Sequence, residues 1–174
     1  VRADAGAVGQ IGFNAGGPGG KHREPVEEAT SRLFGGGPAR GVVIRDGTSS
    51  PIAGHYNICY LNGFQTQADQ SKWWKRKHRN LLLRKGGRYV IDGQWNEILL
   101  DTSTAKKRRA IARVVGKWTD SCAQKGFSAV EFDNLDSYQR SRGRLTKSNS
   151  VVLAKLLVKR AHLRGLAAGQ KNAS

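Results

Sequence analysis

After residue 40 the sequence alternates short apolar runs with long amphipathic segments, and this pattern constrains the fold more than any other feature. Two helices are predicted, one capped within residues 102–104 and ending at Gly126, the other capped by residues 148–150 and ending at Gly165. Strands alternating with helices of this length pair in parallel through right-handed crossovers. The fold class is therefore α/β, with polar strand ends gathered at one edge of the sheet. The predicted strands are 41–45, 56–62, 98–101, 129–133 and 165–169.

The first 40 residues differ from the rest, and we divide the chain into segments 1–40 and 41–174. The first segment is rich in glycine and poor in apolar residues, which predicts low order apart from a short helix near residues 24–33. No run approaches the roughly 20 apolar residues needed to cross a bilayer, and Val1 does not open a visible signal peptide. The two cysteines leave their pairing and the redox compartment open.

The charge favours a polyanionic partner, because 30 Lys and Arg against 13 Asp and Glu give a net charge of +17. The densest basic run, residues 72–79, contains Trp73 and Trp74, which could stack nucleic-acid bases while the cations bind phosphate. The alternative is a solvated basic helix whose tryptophans pack on the domain. The apolar run 81–83 that follows at once favours this alternative, since it must enter a core.

Residues 126–136 carry the strongest chemical signal, because three acids enter at the end of an otherwise buried strand. Glu131 and Asp133 are two apart, so their side chains leave the same face with Cα atoms roughly 6–7 Å apart. We expect Asp101, at the end of the preceding predicted strand, to lie beside them. Neighbouring carboxylates are typical of glycoside hydrolysis. The alternative makes these acids helix caps or salt-bridge partners.

Several segments together resemble glycoside hydrolase family 114, whose members are endo-α-1,4-polygalactosaminidase-like enzymes on a TIM-barrel scaffold. The resemblance runs from about residue 41 to 172. Its segments are Tyr-Asn-Ile-Cys-Tyr at 56–60, Leu100-Asp101, Gly-Phe-Ser-Ala-Val-Glu-Phe-Asp-Asn at 126–134 with Asp136 and Tyr138, and Ala-His-Leu-Arg-Gly-Leu-Ala-Ala-Gly-Gln-Lys-Asn at 161–172.

The resemblance implies that a carboxylate pair cleaves α-linked, galactosamine-containing polysaccharide. Asp133 matches the family's catalytic aspartate, and Glu131 is assigned with it to the catalytic group. His162 also belongs to the family pattern, but it lies on a predicted helix and we expect it to be structural. The positions expected to bind the sugar are Tyr60, Asp101, Asn134, Asp136, Lys171 and Asn172. We expect an extracellular monomer that uses no metal and no cofactor.

Two features depart from the family. The partner glutamate is expected on a strand beyond Asn172, so the chain is interpreted as the N-terminal part of a barrel, with about five of eight strands and no activity when isolated. In addition, deacetylated galactosaminan is cationic and a chain of net charge +17 should repel it. Acetylated substrate, a locally acidic site and a degraded copy all remain open. A basic polyanion-binding module without catalysis and a truncated product that does not fold stably are the alternative interpretations.

Overall fold

The computed structural model describes residues 41–172, and the expectations for residues 1–40 concern the part of the chain outside that range. Its centre is a parallel sheet of four strands in the order β1-β2-β7-β8. These strands are β1 (Val42–Asp46), β2 (Tyr56–Asn62), β7 (Ala129–Asp133) and β8 (Ala167–Gln170). The predicted α/β class, a partial barrel of parallel strands and helices, is therefore confirmed.

Between β2 and β7 the chain forms small elements and one long helix. Helix α1 (Ser71–Lys77) is followed by a 3-10 turn (Arg79–Leu81). Two short antiparallel pairs come next, and helix α2 then returns the chain to the sheet. These elements are β3 (Arg84–Lys85), β4 (Arg88–Tyr89), β5 (Ile91–Asp92), β6 (Glu97–Ile98) and α2 (Ala105–Lys125).

The predicted third strand, residues 98–101, is wrong as a member of the parallel sheet. β6 pairs antiparallel with β5, while Leu99 and Leu100 form only single antiparallel bridges. Residues 97–98 fold back on β5 through a turn at residues 93–96, in which Asn96 has a φ of 55°, while Leu99 and Leu100 pair with Gln65 and Leu82 from earlier in the chain. β2 consequently pairs directly with β7.

The two predicted helices are present. Thr104 caps α2 by accepting a hydrogen bond from the backbone of Lys107, and Gly126 ends it with a φ of 90°. A second 3-10 turn (Leu135–Arg140) precedes helix α3 (Lys147–Leu163). The cap expected within residues 148–150 is wrong, because Thr146 and Asn149 form a reciprocal capping box.

The core lies between the parallel sheet and helices α1, α2 and α3. Leu153 and Leu157 of α3 are fully buried, whereas Val152 and Leu163 of the same helix are 40% and 68% exposed. Cys59 on β2 and Cys122 on α2 form a disulfide that ties the sheet to the helix. None of the helices in residues 41–172 is both long and apolar enough to span a bilayer.

Candidate active site

The ends of β2 and β7 position the first functional side chains. The parallel register places Tyr60 beside Glu131 and Asn62 beside Asp133. Residues alternate between the two faces of a strand, so these four side chains leave the face opposite the one bearing Cys59 and Val130, which belong to the core shared with the helices. The same-face placement predicted for Glu131 and Asp133 agrees with this register.

Asp133 is buried and bound from three directions. Its Oδ2 accepts a hydrogen bond from the Tyr60 hydroxyl at 2.7 Å, and its Oδ1 accepts from Asn172 Nδ2 at 2.9 Å and from the backbone N–H of Asn134 at 2.7 Å. Lys171 Nζ lies 3.8 Å from Oδ2. These donors fix the orientation of the carboxylate.

Two asparagines make this arrangement possible through their backbone conformation. Asn134 and Asn172 have φ values of 69° and 55°, in the left-handed region that asparagine tolerates better than most residues. Asn134 turns the chain immediately after β7, and the carbonyl of Asn172 accepts a hydrogen bond from the N–H of Asp136 at 3.0 Å. The ends of β7 and β8 are thereby held together.

Glu131 and Tyr60 lie deeper along the same face. Burial is the main reason that the pKa of Glu131 is raised; Lys171 partly offsets this effect and Asp133 adds to it. Burial, reinforced by the charge of Asp133 and the hydrogen bond to it, also raises the pKa of Tyr60, so this phenol stays a donor. Lys171 Nζ lies 5.5 Å from the centre of the Tyr60 ring.

Glu97, on β6, joins the site from outside the parallel sheet and was missed by the sequence analysis. Its Oε2 accepts hydrogen bonds from Asn62 Nδ2 at 2.9 Å and from Asn134 Nδ2 at 3.4 Å. Burial raises the pKa of Glu97 to about 7; Asn62 lowers it, and the negative charges of Asp133 and Asp92 raise it further. The only sequence signal for Glu97 was its position next to the apolar run 98–101. It precedes that run, whereas the sequence analysis looked for functional residues at the carboxyl ends of predicted strands.

An arginine links the outer carboxylates. Arg140 Nε lies 2.8 Å from Asp92, and its terminal nitrogens hold both oxygens of Asp136 at 2.9 and 2.8 Å. The amide of Gln65 lies within hydrogen-bonding reach of Glu97, Asp92 and Arg140. Asp136 is therefore paired with an arginine, which also contacts Asp92.

Asp101 does not lie where the sequence analysis expected it. Without a parallel third strand, Asp101 stands at the start of α2, where its carboxylate accepts hydrogen bonds from Ser103 and pairs with Lys107. Burial alone would raise its pKa, but Lys107 and Ser103 outweigh burial and hold the pKa below its ordinary value. Asp101 is thus a local structural acid.

The structure brings together the other predicted residues: Tyr60, Glu131, Asp133, Asn134, Asp136, Lys171 and Asn172. His162 lies on α3, apart from this group, beside an apolar groove. Within residues 41–172, no three His, Cys, Asp or Glu side chains are grouped so as to bind a metal ion.

Comparisons with known proteins identify the family of the chain and solved structures similar to it. A model of glycoside-hydrolase family GH114 matches residues 38–174. Among solved structures, Aspergillus fumigatus Ega3 in complex with galactosamine is 27% identical with a TM-score of 0.52, and the match covers 70% of this chain and 45% of Ega3. The chain therefore spans less than half of the length of that relative. No curated protein matches the chain.

Two further solved structures match with TM-scores below 0.5 and add no support. The α-galactosidase TtGalA from Thermus thermophilus, in complex with stachyose, has 18% identity and a TM-score of 0.45, with 62% of this chain and 23% of that one covered. The glycoside hydrolase domain of PelA from Pseudomonas aeruginosa has 12% identity and a TM-score of 0.46, with 74% and 58% covered. The family model, in contrast, matches most of the chain, and the protein is a member of glycoside-hydrolase family GH114.

Proposed function

We propose that this glycoside hydrolase acts on α-linked, galactosamine-containing polysaccharide and that Asp133 is one of its catalytic carboxylates. The observation that carries the proposal is the convergence of Tyr60, Asn172 and the Asn134 backbone on the Asp133 carboxylate. A carboxylate held in one orientation by several donors suits either a nucleophile or a general base. The similarity to Ega3, which was crystallised with galactosamine, supports the substrate class.

The surrounding groups fit complementary tasks in the proposed reaction. Glu131 lies on the same face as Asp133 and adds negative charge close to it. Glu97, with a pKa of about 7, holds a proton at a higher pH than an ordinary glutamate and can donate a hydrogen bond to a sugar oxygen. In the proposal Tyr60, Asn134, Lys171 and Asn172 bind sugar hydroxyls, and Asp136 orients Arg140 at the rim.

The charge of the site addresses the repulsion expected between a cationic polymer and a basic protein. The chain carries +17 overall, but carboxylates outnumber cations in the described part of the site even without Glu97, which keeps its proton up to about pH 7. Lys171 and Arg140 stand against Asp92, Glu131, Asp133 and Asp136. A locally negative field attracts an ammonium group within a Debye length of about 8–10 Å, beyond which salt screens the remaining charges. Of the open explanations, this one favours a substrate with free amino groups.

We further propose that the protein works outside the cell as a monomer. The Cys59–Cys122 disulfide supports the extracellular location, because disulfides persist in oxidising compartments and are rare in the cytosol.

Calorimetric titration with an α-1,4-linked galactosamine oligosaccharide tests the proposal. Asp133→Asn keeps the shape of the side chain but removes its charge, so we expect it to weaken binding at least about tenfold, the scale of one lost charge-assisted hydrogen bond. Asp101→Asn is the matched control, since Asp101 pairs with Lys107 at the start of α2, and it should bind as the native chain does. Equal weakening in both variants, or no binding by the native chain, would contradict the proposal.

A further inference from the structure

A second concave surface lies away from the carboxylate site, on the side of the molecule formed by α1, the 3-10 turn after it, β3 and the start of α2. It is a groove of about 640 Å³. We call it the basic groove, and its charged lining residues are Arg76, Lys77, Arg79, Arg84, Lys107 and Asp101. None of these residues contacts Asp133 or Glu97 through the hydrogen bonds described above.

Among the residues that the structure describes, few acids lie near the cations of the basic groove. Asp101 is the single carboxylate that these residues contribute to its lining, and it pairs with Lys107. The salt bridges formed within residues 41–172 involve none of the other four cations. Arg84 donates instead to the Tyr89 hydroxyl at 2.7 Å. The Arg84 guanidinium also lies over the Tyr89 ring, 4.4 Å from its centre. A tyrosine does not neutralise a guanidinium, so the positive charges of three arginines and one lysine remain without a carboxylate partner within residues 41–172.

The aromatic residues of the basic run 72–79 do not serve as stacking platforms, which corrects one of the interpretations left open by the sequence. Trp74 is fully buried. The Trp73 ring packs against Trp118, with centroids 5.8 Å apart, and against His78 at 4.9 Å. Proteins that bind single-stranded nucleic acid combine a basic groove with exposed aromatic platforms, and this surface offers only the cations.

We propose that the basic groove binds the phosphate backbone of duplex DNA independently of base sequence. Guanidinium groups match phosphate oxygens in a two-pronged geometry, and a duplex presents one negative charge per about 1.7 Å of its axis. Recognition through phosphates alone gives affinity without sequence preference. The proposal is separate from the glycosidase function and would hold if that function were absent.

The test uses the full chain and a short fluorescein-labelled duplex DNA, with fluorescence anisotropy measured over a series of salt concentrations. Four available cations predict that log K falls against log[salt] with a slope of about −3 to −4. The exposed pair Arg76→Glu/Lys77→Glu should reduce the size of the slope by about 2 and weaken binding at least about tenfold. Arg76→Gln/Lys77→Gln repeats the test without introducing acids, should the reversed pair fail to fold by circular dichroism.

The control is Lys155→Glu/Lys159→Glu on α3, which changes the net charge equally at exposed positions away from the basic groove. It should leave the salt slope unchanged. An equal loss of affinity in the groove pair and the control pair would overturn the proposal, since net charge alone would then explain binding. Binding of heparin but not of duplex DNA, or tighter binding of the matching single strand, would also overturn it.

Discussion

Glu97 and Asp133 lie at the same edge of the sheet but in different surroundings, and these surroundings decide what each can do. Asp133 accepts three hydrogen bonds and has Lys171 beside it. Glu97 is buried near the negative charges of Asp133 and Asp92, and its pKa rises to about 7. Different environments of this kind allow two neighbouring carboxyl groups, here Asp133 and Glu97, to take different roles in proton transfer.

The raised pKa of Glu97 makes a prediction about stability. In the folded chain Glu97 keeps its carboxyl proton up to about pH 7, whereas the ordinary pKa of a glutamate is 4.5. The stability that this raised pKa contributes is therefore complete below pH 4.5 and is lost as the pH rises through about 7. Glu97→Gln removes this loss, and the variant should gain on the order of 1 kcal/mol over the native chain in unfolding free energy between pH 5 and pH 8, since partial exposure to solvent screens the charge of Glu97. Urea denaturation at both pH values measures the difference.

Asp69→Asn, which removes an exposed carboxylate, serves as the control for the Glu97 experiment and should change the pH dependence little. Glu131 leaves a residual decline of the same sign in the Glu97 variant, because its pKa is raised as well. If Glu97→Gln and the native chain lose stability in parallel as the pH rises, the pKa of Glu97 is not raised in the folded chain.

At the scale of elements, the sequence predicted what depends on local pattern and failed where a distant partner decides. Helix α2, its cap Thr104 and its end at Gly126 follow from neighbouring residues, and so do the bounds of β2 and β7. Residues 98–101 are apolar like a buried strand, and their pairing with Gln65 and Leu82 depends on tertiary contacts. This error moved Asp101 into the predicted site and left Glu97 out of it.

The N-terminus of α3 allows the cap predicted from sequence to be tested against the cap found in the structure. Thr146 accepts from the backbone of Asn149, and the Asn149 side chain accepts in return from the backbone of Thr146. Thr146→Ala should therefore lower the unfolding free energy by about 1 kcal/mol. Ser148→Ala alters the residue expected from sequence to begin the cap, but this residue is exposed inside the helix, so no loss is expected. Urea titrations of both variants decide which residue caps the helix.

At the scale of the whole molecule, the disulfide is the covalent link between the sheet and the helical layer. Its two cysteines are 63 residues apart, and sequence could not pair them because their proximity depends on how α2 packs on β2. Closing a loop of this length restricts the unfolded chain, so reduction should lower the unfolding free energy by about 2–4 kcal/mol. Urea unfolding with and without reductant measures this.

A Cys59→Ala/Cys122→Ala variant controls for other effects of the reductant and should unfold identically with and without it. Were the native chain equally insensitive to reduction, the link between β2 and α2 would contribute nothing to stability.

The way the charges are distributed over the surface is a property of the whole molecule. A net charge of +17 favoured a polyanionic partner from composition alone. The fold separates the charge into the basic groove near α1 and an acidic cluster at the ends of β2 and β7. Composition gives the total charge, whereas only the topology assigns each charge to a surface.

The most direct test of the central claim is an NMR titration of the ¹⁵N-labelled chain with an α-1,4-linked galactosamine oligosaccharide. The claim is that the ends of β2, β7 and β8, together with β6, form one sugar-binding site. We predict saturable shifts of the amides of Tyr60, Glu97, Asn134 and Asn172, with the basic groove unchanged. Shifts confined to other surfaces, or none at saturating oligosaccharide, would contradict the account.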